Sequence, residues 1–361
     1  MTGPALMPLP SPDEPDEPDE LHEPDKAGQR DEREKPAAYL RSLLASAPAD
    51  VQARLAETGE FVLNEDNLAA MRTRQLRDPG TPSAAVGHAD RLVPGRDGDP
   101  NIPVRIHRER GITQPRPALI SIHGGGYVIG SHLGDDGRFD KWSPALRCVG
   151  ISVGYRLAPE TPFPGPLEDC YAVLRWAYEN AGGLGIDSSR IGIIGGSAGG
   201  GLAAGLTLLA RDRAEIPVAF QVLSYPMLDD RQITRSSQAG APLWGPSANQ
   251  FGWRSYLSGL GPDDKVPGYA APARAGDLAG LPATFITVGN LDGLLDEDID
   301  YARRLIAAGV PTDLHVFADA PHAFDSILAE TAVARRAART LEDWLEARMH
   351  PESPAEPSGR T

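Results

Sequence analysis

Apolar residues recur every three or four positions in two stretches near the start of the chain, and this spacing predicts two amphipathic helices. The residues concerned are Leu40, Leu43, Leu44, Val51 and Leu55, followed by Leu63, Leu68 and Met71. From residue 102 onward, short apolar runs typical of buried strands alternate with longer patterns of helical spacing. This alternation indicates a mostly parallel sheet covered by helices on both faces.

The predicted strands cover residues 102–107, 118–123, 149–155, 191–194, 218–223, 284–288 and 313–317. The predicted helices cover residues 167–179, 198–211, 297–308 and 323–347. Residues 191–210 carry no charge, and their 20 positions are long enough to cross a membrane. Seven of them are glycine, and the pattern changes from strand to helix midway, so we expect a buried strand–turn–helix instead.

Residues 228–273 interrupt this alternation with a stretch rich in Gly, Pro and Ser. A helix is predicted at residues 247–257, and an aromatic cluster lies in and just before it: Trp244, Phe251, Trp253 and Tyr256. An insertion of this length between two strands is typical of a lid over a substrate site. The alternative is an ordinary packed loop, and the aromatic residues could equally line a substrate pocket or form the core of the insertion.

The charge is unevenly distributed along the 361 residues, which carry a net charge of −15. Residues 1–36 hold eleven acidic and four basic residues and repeat Asp-Glu-Pro from Asp13 to Pro18, so we predict a disordered tail. Residues 351–361 are predicted to form a second disordered tail. The acidic balance argues against a nucleic-acid or anionic-membrane partner.

The start of the chain lacks the pattern of a secretory signal. Two cysteines, Cys148 and Cys170, form no disulfide framework and show no metal-binding spacing. We therefore expect a reducing compartment, the cytoplasm.

The first chemical signal is Gly195-Gly196-Ser197-Ala198-Gly199, which lies between a predicted strand and a predicted helix. This is a G-x-S-x-G motif in the context that a nucleophile elbow requires. There the serine stands on a strained turn above the sheet edge, and the flanking glycines avoid clashes. We therefore predict Ser197 to be a nucleophile.

The second signal is His123-Gly124-Gly125-Gly126, which ends the strand predicted at residues 118–123. A glycine run lets backbone amides approach a ligand, and hydrolases with this elbow need a donor besides the residue after the serine, here Ala198. We predict an oxyanion hole from Ala198 and from two of Gly124, Gly125 and Gly126, with His123 in a structural role.

A serine nucleophile needs a base, and this fold orders serine, acid and histidine along the chain. His322 alone lies just beyond the last predicted strand, and loops at the carboxyl ends of strands collect reactive groups. Asp292 follows the strand predicted at residues 284–288 and is our candidate acid, with Asp296 as the alternative. The first turn of a helix favours carboxylates, and this accounts for Asp296, Glu297 and Asp298 without a catalytic role.

These motifs together resemble the hormone-sensitive-lipase group of α/β-hydrolases, a family of carboxylesterases, from about residue 36 to residue 345. The matching segments are HGGG at residues 123–126, YRLAPE at 155–160, the serine elbow, DGLLDE at 292–297 and HAF at 322–324. The chain departs from the family pattern at Gly196, Gly293 and Ala323, which affects substrate preference and rate rather than the reacting groups.

The resemblance implies an α/β-hydrolase fold: a mostly parallel central sheet flanked by helices, at residues 37–350, with a helical cap from about 37–80 and 228–273. The expected function is hydrolysis of short-chain acyl esters by a serine carboxylesterase, through an acyl-enzyme and without metal or organic cofactor. A deacetylase or amidase of a specialised metabolite uses the same triad and stays open, as does a non-catalytic ligand-binding relative. The expected partner is a small-molecule ester, with no membrane span and with a homodimer left open.

Overall fold

The structure, a computed structural model, describes residues 38, 40–58, 61–75, 83–239, 241–261 and 263–351. The predicted N-terminal tail lies outside these residues, as does the predicted C-terminal tail except for its first residue. Among the residues described, no helix combines the length and the apolar character that crossing a bilayer requires.

Eight strands form one sheet in the order β1-β2-β4-β3-β5-β6-β7-β8. Their bounds are β1 Val86–Val93, β2 Ile102–Glu109, β3 Arg116–Ile122, β4 Val149–Val153, β5 Ile186–Gly196, β6 Phe220–Ser224, β7 Ala283–Gly289 and β8 Thr312–Phe317. Strand β2 pairs antiparallel with β1 and β4, whereas β4, β3, β5, β6, β7 and β8 run parallel.

Twelve helical segments surround the sheet in the part of the chain that the structure describes. They are α1 residues 40–46, α2 Ala49–Thr58, α3 Leu68–Gln75, α4 Asp136–Ala145, α5 Gly165–Glu179, α6 Ala181–Leu184, α7 Ala198–Arg213, α8 Arg235–Gln238, α9 Pro246–Tyr256, α10 Leu295–Ala307, α11 Phe324–Ile327 and α12 Ala332–Met349. Short 3₁₀ turns occur at Arg96–Gly98, His132–Asp135 and Pro272–Arg274.

The central strands are buried on both faces, which explains their uninterrupted apolar sequences. Every residue of β4 and of β6 is buried. One face of the sheet packs Ile120 and Ile193 into the largest core cluster, and the other face packs Leu119 and Ile194 into a second cluster. Strands covered on both sides are typical of parallel sheets, so the predicted α/β-hydrolase architecture is confirmed.

The structure corrects the predicted secondary structure in several places. Strand β1 and helix α4 were not predicted, because β1 buries only its first and last residues and α4 contains Gly137 and Pro144. The helix predicted at residues 323–347 is two helices, and Thr331 caps the second by accepting a bond from the Ala334 amide. The first of the two predicted N-terminal helices is interrupted before Ala49 by Pro48.

The N-terminal helices and the inserted segment, residues 228–273, lie at the carboxyl edge of the sheet. Leu40 of α1 packs against Ala239 and Ala241 of the inserted segment and against Leu291, beside the predicted acid. Farther along, the Phe61 ring lies 5.9 Å from that of Trp244. The two segments therefore contact each other above the ends of the strands that carry the predicted site.

One arginine of helix α3 forms hydrogen bonds to two segments near the predicted site. The Arg72 guanidinium donates to the carbonyl oxygens of Val128 and Ala158, each at 2.8 Å, and to both carboxylate oxygens of Glu160. Val128 follows the glycine loop, and Ala158 and Glu160 belong to the YRLAPE segment. The arginine thus joins three parts of the chain that border the site.

Candidate active site

Ser197 occupies a strained turn between β5 and α7. Its φ and ψ are 57° and −124°, a conformation that a non-glycine residue adopts only when the surrounding structure enforces it. A side chain at Gly195 would collide with the Gly199 carbonyl, and one at Gly199 would collide with the Ile122 carbonyl. The motif glycines therefore allow β5, β3 and α7 to approach closely enough to form this turn.

Two loops at the ends of β7 and β8 are bonded to each other. The amides of Asn290 and Leu291 donate to the carbonyl oxygens of Phe317 and Ala320, both at 3.0 Å. No side chain fits at Gly289, because a Cβ there would meet the Ala320 carbonyl. This contact fixes the loop that carries Asp292 against the loop that carries His322.

The structure brings Ser197, His322 and Asp292 into one hydrogen-bonded chain. His322 Nε2 lies 2.9 Å from Ser197 Oγ, and His322 Nδ1 lies 2.8 Å from Asp292 Oδ2. All three residues are buried, with exposed fractions of 7%, 5% and 3% for the serine, histidine and aspartate. The other carboxylate oxygen of Asp292 accepts a bond from the Leu294 amide at 3.0 Å, which holds the carboxylate in this orientation.

The carboxylates that follow Asp292 have other partners. Asp296 Oδ2 accepts from the Ser236 amide at 2.9 Å, and Ser236 Oγ accepts from the Asp296 amide. Glu297 Oε1 accepts from the amides of Leu228 and Asp229. Both acids attach the inserted segment to α10, whereas Asp292 contacts the histidine.

Burial raises the pKa of Glu297 well above its usual range, although its two backbone hydrogen bonds oppose that shift. Burial also raises the pKa of the neighbouring Asp298, and the nearby carboxylates add to the effect. Both shifts disfavour the charged form of these carboxyl groups in the buried first turn of α10.

The glycine loop lies directly against the nucleophile. A Cβ at Gly124 would be 2.8 Å from the Gly196 carbonyl oxygen and 3.2 Å from Ser197 Cβ. Gly125 and Gly126 both have positive φ, at 112° and 58°, where glycine is the favoured residue. Ala198 is the first residue of α7, where helical amides lack intrahelical partners. The loop and the helix start thus flank Ser197.

His123 holds the start of this loop. Its Nδ1 lies 2.8 Å from the Gly124 carbonyl oxygen, its ring stacks on Tyr155 at 4.2 Å, and the Tyr155 hydroxyl donates to the His123 carbonyl. Burial lowers the pKa of His123 to about 4, so the ring is neutral at neutral pH and donates from Nδ1.

Two aromatic rings border His322. The Trp244 ring stacks on the imidazole with centroids 5.8 Å apart, and Trp244 Nε1 donates to Asn249 Oδ1 at 3.1 Å. The Tyr225 ring meets the imidazole edge-on at 4.9 Å, and its hydroxyl donates to Asp325 at 2.6 Å. Tyr225 was not predicted, although its position directly after β6, beside the elbow strand, is a signal of proximity to the site.

The remaining predicted pocket residues separate into two groups. Phe251 lines a cleft of about 590 Å³ between residues 61–64 and 241–254. Trp253 and Tyr256 instead pack on Tyr127, at centroid distances of 5.2 and 4.1 Å, and are 3% and 0% exposed. They pack where the inserted segment meets Tyr127, the residue that follows the glycine loop.

Within the described residues, three potential metal ligands meet at His88, His107 and Asp136. They belong to β1, β2 and α4. They therefore lie at the opposite margin of the sheet from the loops that follow β7 and β8, and they take no part in the Ser197 site.

An eight-stranded sheet of this topology, with a serine on a strained strand–helix turn bonded to a histidine and an aspartate, defines a serine hydrolase of the α/β-hydrolase class. The family model Abhydrolase_3, described as an alpha/beta hydrolase fold, matches residues 119–326. The chain belongs to this family, as its sequence motifs predict.

Relatives of the chain include esterases from several organisms. It is 37% identical over 251 residues to carboxylesterase NlhH of Mycobacterium tuberculosis, covering 68% of this chain and 78% of the relative. It is 34% identical over 235 residues to an arylesterase of Saccharolobus solfataricus, covering 62% and 75% of the two chains.

Solved structures show the same likeness over a longer span. A bacterial heroin esterase aligns with a TM-score of 0.77 and 39% identity, covering 85% of this chain and 99% of that one. Esterase LipW from Mycobacterium marinum aligns with a TM-score of 0.78 and 37% identity, covering 85% and 98%.

Proposed function

We propose that this protein is a carboxylesterase that cleaves small acyl esters with Ser197 as nucleophile. The observation that carries the proposal is the continuous hydrogen-bonded chain from Asp292 through His322 to Ser197, with distances of 2.8 and 2.9 Å. The esterase relatives support the same reaction class.

The reaction begins with a proton transfer along this chain. Because Asp292 accepts from His322 Nδ1–H, Nε2 is unprotonated and takes the proton of Ser197 as Oγ attacks the ester carbonyl. The resulting imidazolium is stabilised by the Asp292 carboxylate and then gives its proton to the leaving alcohol. Water, deprotonated by the same nitrogen, next attacks the acyl-enzyme, and Ser197 Oγ leaves with the proton and releases the acid.

The negative oxygen of each tetrahedral intermediate needs hydrogen-bond donors that point directly at it. The amide of Ala198, together with two of the three amides of Gly124, Gly125 and Gly126, is assigned this role. The close contact of Gly124 with the elbow supports the assignment, since no side chain separates these amides from the reacting carbon. Loss of one such donor typically costs roughly 3 to 4 kcal/mol of transition-state stabilisation.

The acyl chain is expected to be short, because aromatic side chains enclose the nucleophile. Trp244 lies against both His322 and the glycine loop, and a Cβ at Gly126 would collide with its ring. Each methylene buried contributes about 0.8 kcal/mol, roughly a fourfold gain in kcat/KM, until the chain reaches such a wall. We assign Trp244 and Phe251 to the substrate pocket and the N-terminal helices with the inserted segment to the cap.

The test is the specificity constant for p-nitrophenyl esters of increasing acyl length. We expect kcat/KM to peak at an acyl chain of about two to eight carbons and to collapse for long-chain triglycerides. A maximum at long chains would contradict the enclosed pocket. Ser197→Ala is the control, because it removes the nucleophilic oxygen and leaves the turn intact. Hydrolysis by that variant at the wild-type rate would refute the mechanism itself.

We keep the cytoplasm as the predicted location, because the two cysteines, Cys148 and Cys170, are both free and form no disulfide framework. A homodimer stays an open prediction, and the molecular mass in solution decides it.

A further inference from the structure

We propose that His88, His107 and Asp136 form a binding site for one borderline divalent cation of the Zn²⁺ type, which joins the outer strands of the sheet to helix α4. His88 and His107 are direct register partners in the antiparallel pair β1–β2. Residues opposite each other in such a pair point to the same face of the sheet. Asp136, in the first turn of α4, faces both imidazoles from above that surface.

The inward-facing atoms lie near the separations that a metal imposes. His88 Nδ1 is 3.4 Å from Asp136 Oδ2, and His107 Nδ1 is 3.7 Å from Asp136 Oδ1. One ligand atom from each of the three residues lies within 4.8 Å of the others. Metal–ligand bonds of about 2.0 Å in a tetrahedron separate the ligands by about 3.3 Å, so the three ligand atoms must move toward one another by up to about 1.5 Å when the cation binds.

Hydrogen-bond donors and acceptors fix the tautomer of His107. Ser152 Oγ donates its only proton to Asp135 Oδ2 at 2.9 Å, so it accepts at 3.1 Å from the Nε2–H of His107. The lone pair of His107 Nδ1 therefore points toward Asp136. His107 is fully buried, and neither its Nδ1 nor Asp136 Oδ1 has a hydrogen-bond partner. A cation between two buried acceptors that face each other would satisfy both of them.

His88 is oriented in the same way. Its Nε2 lies 2.8 Å from Asp140 Oδ1, and the carboxylate can only accept, so Nδ1 is left to face Asp136. Asp140 stands one helical turn after Asp136 on α4. A carboxylate or hydroxyl that binds the outer nitrogen of a ligating imidazole is the usual support of a metal site. Here both histidines have one, from Asp140 and from Ser152.

An arginine side chain competes with the proposed cation for the carboxylate of Asp136. Arg105 NH1 donates to Asp136 Oδ2 at 3.1 Å, which leaves Oδ1 free for the cation. Two imidazoles and one carboxylate favour Zn²⁺, Co²⁺ or Ni²⁺ over Mg²⁺ or Ca²⁺, which prefer oxygen ligands. Because β1 and β2 lie at the opposite margin of the sheet from β7 and β8, we expect the cation to stabilise the fold and not to enter ester hydrolysis.

The test is calorimetric titration of the untagged, chelator-dialysed full chain with ZnCl₂. We expect one Zn²⁺ per chain and an increase in Tm on binding. His88→Gln and Asp136→Asn should each weaken binding at least 100-fold, and Asp140→Asn by about 10- to 100-fold. His315→Gln is the matched control, because that histidine lies on β8 against Phe285 and Phe317.

The catalytic histidine is the competing ligand, so the titration is repeated with His322→Gln. Zn²⁺ binding that persists in His322→Gln and disappears in His88→Gln supports the proposal. Absence of binding at millimolar Zn²⁺, loss of binding in His322→Gln, or unchanged binding in both His88→Gln and Asp136→Asn overturns it.

Should the variants fail to fold, X-ray absorption of the Zn²⁺-loaded wild-type chain still decides the question. The proposed site contributes two imidazoles to the coordination shell, whereas the Ser197 site offers a single imidazole, that of His322.

Discussion

The contrast between Asp292 and Asp296 gives the sharpest test of the acid assignment. In Asp292→Asn, one of the two carboxylate oxygens becomes an NH₂ group. The Leu294 amide donates to Asp292 Oδ1 at 3.0 Å and therefore requires the oxygen of the new amide at that position. The NH₂ group is then directed at His322 Nδ1, which must accept from it.

An imidazole that accepts at Nδ1 carries its proton on Nε2, where the base must be free to take the proton of Ser197. The variant keeps its geometry but holds the wrong tautomer. Such a change lowers kcat by about 10⁴ in a serine triad, which corresponds to about 5.5 kcal/mol of transition-state stabilisation. Turning the amide over would instead place NH₂ against the Leu294 N–H, at the cost of a buried unpaired donor.

Asp296→Asn is the matched control, because its amide oxygen still accepts from the Ser236 N–H. We expect its kcat to stay within about threefold of wild type, since Asp296 attaches the inserted segment and does not touch His322. The assay is steady-state hydrolysis of p-nitrophenyl acetate, with circular dichroism to verify folding. A large loss in Asp296→Asn together with a small loss in Asp292→Asn would refute the assignment.

Three further predictions concern the glycine loop, its histidine and the N-terminal tail. Gly126→Ala should lower kcat about tenfold or more, because the new Cβ collides with the Trp244 ring that stacks on His322 and displaces the glycine loop beside the nucleophile. His123 should contribute a fall of up to about 2 kcal/mol in the free energy of unfolding between pH 6.5 and 5, because the unfolded chain protonates at His123 while burial holds the folded pKa at about 4. Urea denaturation measures this contribution as the difference between wild type and His123→Gln, since burial also lowers the pKa of His107 to about 4 and adds to the total. Deletion of residues 2–36 should leave kcat/KM for p-nitrophenyl acetate nearly unchanged.

Each of these predictions has its own control. Gly134→Ala should be silent, since a Cβ there meets no atom within 4 Å. His123→Gln should reduce the pH dependence of the unfolding free energy, and an undiminished dependence would assign it to other groups. The charges that face His123 act in opposite directions on its pKa: Asp135 raises it and His132 lowers it. For the tail, a severalfold loss of kcat/KM would show that it belongs to the active structure.

The parallel strands at the centre of the sheet could be predicted from the sequence alone. Both faces of β4 and β6 are buried, so every residue of these strands must be able to lie in the core, and this produces a continuous run that the sequence shows directly. The G-x-S-x-G and HGGG motifs could be recognised for a similar reason, since each is a local backbone requirement. Strand β1 could not be recognised, because it is an edge strand that buries only Val86 and Val93 of its eight residues.

The sequence limited the candidates for the catalytic acid to a few carboxylates that follow β7. Only the hydrogen bonds between the loops after β7 and β8 show that Asp292 is the one that contacts His322. Tyr225 beside the imidazole and the register that pairs His88 with His107 also depended on the tertiary structure. The physical reason is the same in each case. Local motifs constrain the backbone within a few residues, whereas contacts across the sheet depend on strand order and register, which the whole core determines by the way it packs.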